Sequence, residues 1–216
     1  MLEKLIIQPP ACVRWLFRKC LWRLPLKENE RRIAITFDDG PIPEQTPWVL
    51  DLLDGYGIHA TFFCVGENVK RYPELYAEII RRGHSVGNHT YNHVQLFKVG
   101  TSYYEQNESK SLETMGGKVK YFRPPHGQLT PWYASKLHSR YNRVVLWDVM
   151  PKDYDKHLTP QDVFDNVRKY TREGSIIVFH DSIKAGDRMR YALQKMIETY
   201  SREGYTFVSI DEALNN

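Results

Sequence analysis

The sequence has few cysteines and no long apolar stretch. Its 3 cysteines form no CxxC pair, which argues against a disulfide framework and against a zinc site built from thiolates. No stretch approaches the roughly 18 apolar residues of a membrane-spanning helix. Polar residues and prolines also interrupt the apolar residues near the N-terminus, where a signal peptide needs a continuous run. We therefore expect a chain without a signal peptide or membrane span, located in the cytoplasm or peripherally at a membrane.

The charge balance shows little excess of either sign. The 216 residues include 30 Lys and Arg against 26 Asp and Glu, which leaves a formal net charge of +4. A nucleic-acid interface requires a basic stripe or patch, whereas these basic residues are dispersed along the chain. We therefore expect no nucleic-acid partner. A Gly-rich phosphate loop is also lacking, which disfavours a dinucleotide-binding fold.

The chain after residue 31 alternates short apolar runs with segments of helical period, which is typical of repeated βα units and a mainly parallel sheet. Its length suits one domain and falls short of the ~250 residues of an eight-unit barrel. We therefore predict the α/β class, with a single-domain, distorted (β/α)7 TIM-like barrel over residues 31–216. The predicted strands are 33–37, 60–65, 85–87, 121–122, 144–147, 175–179 and 205–208. The main predicted helices are 46–56, 73–82, 130–139, 160–172 and 187–202.

The segment before the first strand has a different pattern. Apolar residues recur at helical spacing over residues 13–24, and basic residues and two tryptophans occupy the remaining positions. This pattern predicts an amphipathic helix within an N-terminal helical segment, residues 1–30. Such a helix could lie on a membrane surface, or it could close one end of the barrel; the sequence leaves both open.

Polar residues follow the carboxyl ends of the predicted strands, which is the rim where parallel barrels carry their active sites. His89 and His93 are four residues apart, so one helical turn would present both on one side. Asp39, at another strand end, supplies a third ligand. Two imidazoles and one carboxylate with an open position suit a catalytic divalent metal, with Zn²⁺ expected and Co²⁺ or Ni²⁺ as alternatives. The rim residues are Asp38, Asp39, Asn88, His89, His93, Arg123, His126, Asp148, Asp153, His180 and Asp181.

The same rim offers an acid and a base. Asp38 could take a proton from an attacking water, and Arg123 could orient its carboxylate through a charge-assisted hydrogen bond. His180 is a candidate general acid, and Asp153 could keep it protonated because a nearby negative charge favours imidazolium. A turn at Asp38 and a purely structural ion pair at Arg123 are the alternatives.

Five segments, in this order, resemble the motifs of the polysaccharide deacetylases, also called carbohydrate esterase family 4 or the NodB-homology domain. They are TFDDG (36–40), HTYNH (89–93), RPPHG (123–127), WDVMPKDY (147–154) and IIVFHD (176–181). The resemblance implies that Asp38 is the base, that Asp39, His89 and His93 bind the metal, and that His180 is the acid. It further implies hydrolysis of an N-acetyl group on an amino-sugar glycan, such as peptidoglycan or a chitin-like oligomer, with an oxyanion stabilised partly by the backbone N–H of His126.

The chain also departs from the family pattern. His126 stands where the family often has Tyr, Tyr154 where it often has Trp, and Val178 where it usually has Leu; we expect these three residues to bind substrate. Met150 stands where an additional Asp is frequent. An O-acetyl esterase, a small-amide hydrolase and a non-catalytic glycan-binding barrel remain alternatives.

Overall fold

The computed structural model describes residues 7–215. Seven strands form one sheet in which every strand pair is parallel. They are β1 (Arg32–Asp38), β2 (Thr61–Cys64), β3 (Ser85–Asn88), β4 (Tyr121–Phe122), β5 (Arg143–Val144), β6 (Ile176–His180) and β7 (Thr206–Val208). The predicted α/β class and distorted (β/α)7 barrel are confirmed.

Helices connect the strands and cover the outside of the sheet. They are α1 (Ala11–Leu16), α2 (Thr46–Gly55), α3 (Gly66–Arg71), α4 (Pro73–Arg81), α5 (Leu96–Val99), α6 (Thr101–Thr114), α7 (Pro131–Leu137), α8 (Pro160–Tyr170), α9 (Gly186–Arg202) and α10 (Ile210–Asn215). Proline occupies the first turn of α2, α4, α7 and α8, where its missing N–H costs no hydrogen bond. Thr159 and Asp162 add a reciprocal capping box at the start of α8, which explains why the sequence predicts this start well.

Strand β1 lies at the centre of the sheet and sets the direction of the site residues. Ile33, Ile35 and Phe37 belong to the core that packs against α2 and α9. Because side chains alternate along a strand, Thr36 and Asp38 point to the opposite side, into the barrel. β6 pairs along β1 from residue 34 onward, β2 pairs with its last three residues, and β7 pairs with its first three.

The N-terminal residues close the gap between β5 and β6. Leu21 forms a parallel bridge with Val145, and Arg23 forms an antiparallel bridge with Ser175. Cys20 and Leu24 are buried beside these bridges. We call residues 8–24 the N-terminal segment; its last part completes the wall of the barrel.

The predicted amphipathic helix over residues 13–24 is wrong beyond Leu16, where α1 ends. Backbone pairing explains the difference, because the Leu21 N–H donates to Val144 O at 2.8 Å and Leu21 O accepts from the Leu146 N–H at 2.8 Å. These bonds give partners to backbone N–H and C=O groups at the open edge of the sheet. Leu21 could not make them from within a helix. Trp15 is 69% exposed on the short helix. Among the residues the structure describes, no helix has both the length and the apolar character needed to cross a membrane.

Candidate active site

Asp38 and Arg123 form a buried ion pair inside the mouth of the barrel. Arg123 directly follows β4 and has no exposed surface. Its guanidinium donates to Asp38 Oδ1 at 2.6 Å and to Thr36 Oγ1 at 2.8 Å, and a third bond reaches the Leu146 carbonyl at 3.2 Å. The guanidinium also lies over the ring of Phe63, 4.0 Å from its centroid. These contacts fix the guanidinium, which in turn holds the Asp38 carboxylate in one orientation.

Asp39, His89 and His93 come together beside this pair. One potential ligand atom from each lies within 4.8 Å of the other two. Asp39 Oδ1 is 3.3 Å from His93 Nε2 and 3.9 Å from His89 Nε2. It is buried and has no hydrogen-bond partner within residues 7–215. A buried carboxylate oxygen normally has a partner, so this oxygen fits a metal ligand.

The ring of His89 has the orientation and protonation state that a metal ligand needs. Its Nδ1 lies 2.8 Å from the Arg123 carbonyl; because a carbonyl oxygen can only accept, Nδ1 carries the proton and Nε2 keeps its lone pair. Burial lowers the pKa of His89 to about 4, so the ring is neutral at neutral pH. Burial alone would raise the pKa of Asp39, but the imidazoles of His180 and His93 hold it below its ordinary value.

The two histidines do not share a helical turn, contrary to the sequence-based expectation. Residues 89–95 form an irregular loop after β3. Thr90 and His93 adopt φ values of +64° and +56°, a region that costs a β-branched residue such as Thr90 conformational energy. The loop's backbone, not helical periodicity, brings the two rings together.

His180 lies across the strand pair from Asp38, at the last residue of β6. Its Nδ1 is 2.7 Å from Asp153 Oδ1, and its backbone N–H donates to Asp153 Oδ2 at 2.7 Å. Burial alone would lower the pKa of His180, but the fully buried Asp153 carboxylate raises it to about 9. His180 therefore carries a proton at neutral pH, with Nε2 as a second donor.

The three residues expected to bind substrate lie in different environments. His126 is exposed, has a φ of +57°, and its ring centroid is 4.6 Å from that of His93. Tyr154 is half-buried and packs edge-on against His180, with ring centroids 4.9 Å apart. Val178 is fully buried in an apolar cluster that includes Trp147. It offers no exposed surface here, so its contact with a substrate stays a prediction.

Asp148 does not belong to the rim, and this expectation is wrong. Its backbone N–H donates to Ile176 O and its side chain accepts from Ser175 Oγ at 2.8 Å. Both partners lie at the beginning of β6, the end opposite to the site. There Asp148 pairs with Arg172 at 2.9 Å and with Arg14 of the N-terminal segment at 2.7 Å. Its role is to anchor that segment to the barrel.

Asp181 supports the turn that carries Asp39. Its Oδ1 accepts from the Gly40 N–H at 3.0 Å and its Oδ2 accepts from Thr46 Oγ1 at 2.5 Å. Burial raises the pKa of Asp181 to about 8. Glycine is needed at position 40, because a Cβ there would lie 2.0 Å from Asp181 Oδ2.

Helix α6 also supports the site, and sequence reasoning missed it. Asn107 accepts hydrogen bonds from the loop between His89 and His93, and Asn88 Nδ2 donates to the Glu108 carbonyl at 3.1 Å. The helix was missed because its buried face is largely polar: Tyr104, Asn107, Glu108 and Ser111. The spacing i, i+3, i+4, i+7 of these residues is the signal that could have revealed it.

Comparisons with known proteins agree with this geometry. The family model described as polysaccharide deacetylase matches residues 26–142. A peptidoglycan-N-acetylglucosamine deacetylase of Bacillus cereus is 34% identical over 198 residues, which cover 89% of this chain and 92% of that protein. A chitooligosaccharide deacetylase of Azorhizobium caulinodans is 34% identical over 161 residues, covering 72% of this chain and 76% of that protein.

A solved structure shows the same fold. It is the crystal structure of a peptidoglycan N-acetylglucosamine deacetylase in complex with 4-naphthalen-1-yl-N-oxidanyl-benzamide. It superposes with a TM-score of 0.84 at 30% identity and covers 93% of this chain and 95% of its own. The match therefore extends over the barrel and the site together.

Proposed function

Because the chain belongs to the polysaccharide deacetylase family, we propose that it hydrolyses the N-acetyl group of an N-acetylated amino-sugar glycan to acetate and a free amine. The observation that carries this proposal is the arrangement of a buried carboxylate, Asp38, and a protonated imidazole, His180, beside three potential metal ligands. A hydrolase of this type needs one group that takes a proton and one that gives a proton.

Asp39, His89 and His93 would hold the metal. Two observations support this assignment: Asp39 Oδ1 is buried without a hydrogen-bond partner among residues 7–215, and Nε2 of His89 keeps its lone pair. We propose Zn²⁺, because it is commonly bound by two imidazoles and one carboxylate with a position left open, and Co²⁺ or Ni²⁺ could replace it. When bound, such an ion acidifies water and polarises a carbonyl group.

Asp38 acts as the base in this proposal. Water adds to the acetyl carbon, and the proton that it loses passes to Asp38. Oδ2 of Asp38 faces the potential metal ligands and lies 3.7 Å from His89 Nε2. Arg123 stays bonded to Oδ1 and keeps the carboxylate in position. The backbone N–H of His126 is the proposed donor to the developing oxyanion.

His180 acts as the acid. The C–N bond of the amide breaks, and the imidazole delivers its proton to the departing nitrogen, so that the sugar leaves as an amine. Asp153 remains a carboxylate and stabilises the imidazolium until this transfer. The substrate class is supported by the relatives whose names include peptidoglycan and chitooligosaccharide deacetylases.

Residues 13–24 do not form the continuous basic helix that a membrane-surface contact would require. Arg14 and Arg23, which would form part of the basic face of a surface helix, are directed towards Asp148 instead. The helix that such a contact requires ends at Leu16.

The test is acetate release from N-acetylglucosamine oligomers by metal-stripped protein reloaded with Zn²⁺ or Co²⁺. Asp38→Asn and His89→Ala serve as inactive variants. We expect metal-dependent release that both substitutions abolish. Acetate release from an O-acetylated glycan, but not from the N-acetylated oligomers, would identify an ester and not an amide as the substrate. Bound metal without activity on either substrate would contradict the proposal.

A further inference from the structure

The loop between the two histidine ligands needs support from outside. Thr90 and His93 both have positive φ values, so the conformation that brings the imidazoles together is not one that these residues adopt readily on their own. Such a backbone persists only where surrounding groups hold it. The contacts of residues 90–92 therefore decide how well the ligand pair is formed before a metal binds.

One side chain, Asn107 of α6, holds the middle of this loop. Its Oδ1 accepts from the Tyr91 N–H at 2.8 Å and from the Asn92 N–H at 3.3 Å. Its Nδ2 donates to Asn92 Oδ1 at 2.6 Å. The orientation of the amide is fixed, because backbone N–H groups can only donate and must face the oxygen. Asn107 is 6% exposed, so water competes little for these bonds.

The neighbouring contacts act on other atoms. The Gly66 and Glu67 N–H groups donate to the carbonyl oxygens of Thr90 and Tyr91 at 2.9 and 2.7 Å. Lys110, one turn after Asn107, places its Nζ 3.6 Å from the ring centroid of Tyr91. α3 thus binds the carbonyl side of the loop, whereas the two N–H groups of residues 91 and 92 depend on Asn107.

We infer that Asn107 is a positioning residue of the metal site: by binding two successive N–H groups between His89 and His93, it sets the spacing of the two imidazoles. The inference rests on the proposed function, because it assumes that these imidazoles bind a metal. Asn107 itself touches neither ligand ring in this role. Its effect is to supply the loop conformation in advance, so that metal binding does not have to impose it.

The consequence is an effect on metal affinity. Groups that orient metal ligands typically contribute about 10- to 100-fold to affinity. Asn107→Ala should weaken Zn²⁺ binding by a factor in this range, whereas the glycan KM of the metal-saturated variant should stay near that of the wild type. Asn107→Asp should retain most of the affinity, because a carboxylate still accepts both N–H groups and the Asn92 amide can rotate to donate to it.

The experiment is a Zn²⁺ titration against a chromophoric chelator with wild type, Asn107→Ala, Asn107→Asp and Gln106→Ala. Gln106 is the matched control, since it is adjacent on α6 and exposed. Thermal unfolding of the metal-free proteins checks that each variant is folded. Hydrogen exchange of the Tyr91 and Asn92 amides in metal-free wild type adds a measurement that needs no variant, and we expect both to exchange slowly.

The outcomes separate the inference from the proposed function. Equal Zn²⁺ affinity in Asn107→Ala and wild type would overturn the inference and leave the proposed function intact. Affinity that falls as far in Asn107→Asp as in Asn107→Ala, or fast exchange of the two wild-type amides, would also overturn it. If Asn107→Ala weakens Zn²⁺ binding as expected but the wild type releases no acetate, only the proposed function is contradicted. A wild type that binds no metal contradicts both.

Discussion

Replacing Asp153 by Asn tests what keeps His180 protonated. The substitution removes the negative charge 2.7 Å from His180 Nδ1 and retains a side chain of nearly the same size. Burial lowers the pKa of His180, and the Asp153 carboxylate is the main group that raises it. We therefore expect the pKa of His180 to fall well below 9 in Asp153→Asn.

The size of the effect follows from the pKa in the wild type. Raising the pKa of an imidazole from 6.5 to about 9 corresponds to about 3 kcal/mol of preference for the charged form. Since the folded-state pKa lies above the unfolded one, this contribution to stability is fully present below about pH 6.5 and is lost as the pH rises through about 9. The variant should lack this pH-dependent contribution.

Two measurements check this expectation. The first is an NMR titration of the His180 ring in metal-free wild type and Asp153→Asn. The second is the free energy of unfolding in urea from pH 6 to pH 9.5, which should fall more steeply in the wild type. In the metal-loaded enzyme, the alkaline limb of the rate profile should move to lower pH in the variant, because His180 loses its proton earlier.

A matched control is Asp155→Asn, two residues away. Asp155 pairs with Lys152 at 2.9 Å, so its replacement should leave the titration of His180 unchanged. A His180 ring that still titrates near pH 9 in Asp153→Asn would refute the electrostatic explanation. An equal change in both variants would refute the assignment to Asp153 in particular.

Three further substitutions test other parts of the structure. Arg123→Met should lower the free energy of unfolding by about 3–5 kcal/mol, because it leaves the buried Asp38 carboxylate without its cation; an unchanged urea midpoint would contradict this. Gly40→Ala should cost about 1–3 kcal/mol in the same assay, since its Cβ would overlap Asp181, and stability equal to that of the wild type would show that the turn adjusts freely. Asp148→Asn should cost about 2 kcal/mol and expose the N-terminal segment to trypsin; unchanged digestion would show that other contacts hold it.

The position of the candidate catalytic residues is predictable from the sequence because it depends on one rule. In a parallel barrel, the carboxyl ends of the strands meet at one rim, so a residue that follows a buried strand is placed without knowledge of the rest. Asp38 and His180 illustrate this, as they end two adjacent strands and are register partners. The rule failed for Asp148, since residues 145–149 form only isolated bridges and do not mark where a strand ends.

The residues of α6 that support the site are harder to predict from the sequence, for a physical reason. Sequence patterns identify a buried helix face by its apolar residues, but α6 presents Asn107 and Glu108 to the interior. Asn107 is stable inside because the loop after β3 supplies its hydrogen-bond partners, and Glu108 is stable because Arg140 and Tyr141 donate to its carboxylate. Those partners are distant in the chain or in an irregular loop, and no local pattern encodes the pairing.

At the N-terminus, in contrast, the sequence predicts a longer helix than the structure contains. Residues 13–24 have helical periodicity, and the amphipathic pattern predicts a helix there. Leu21 and Arg23 instead bridge to strands that are far away in sequence. Tertiary hydrogen bonds to an open sheet edge outweigh a local helical preference, which is worth only a fraction of a kcal/mol per residue.

The closure of the barrel by the N-terminal segment also constrains the order of folding. Leu21 is synthesised early, but its partner Val145 and the Ser175 partner of Arg23 emerge much later. The segment therefore stays unpaired while the central strands assemble. Contacts of such large sequence separation form slowly, so we expect closure between β5 and β6 to be a late event in folding. In a circular permutant that places residues 8–24 after β7, both partners would be synthesised before the segment, so we expect closure of the barrel to be faster.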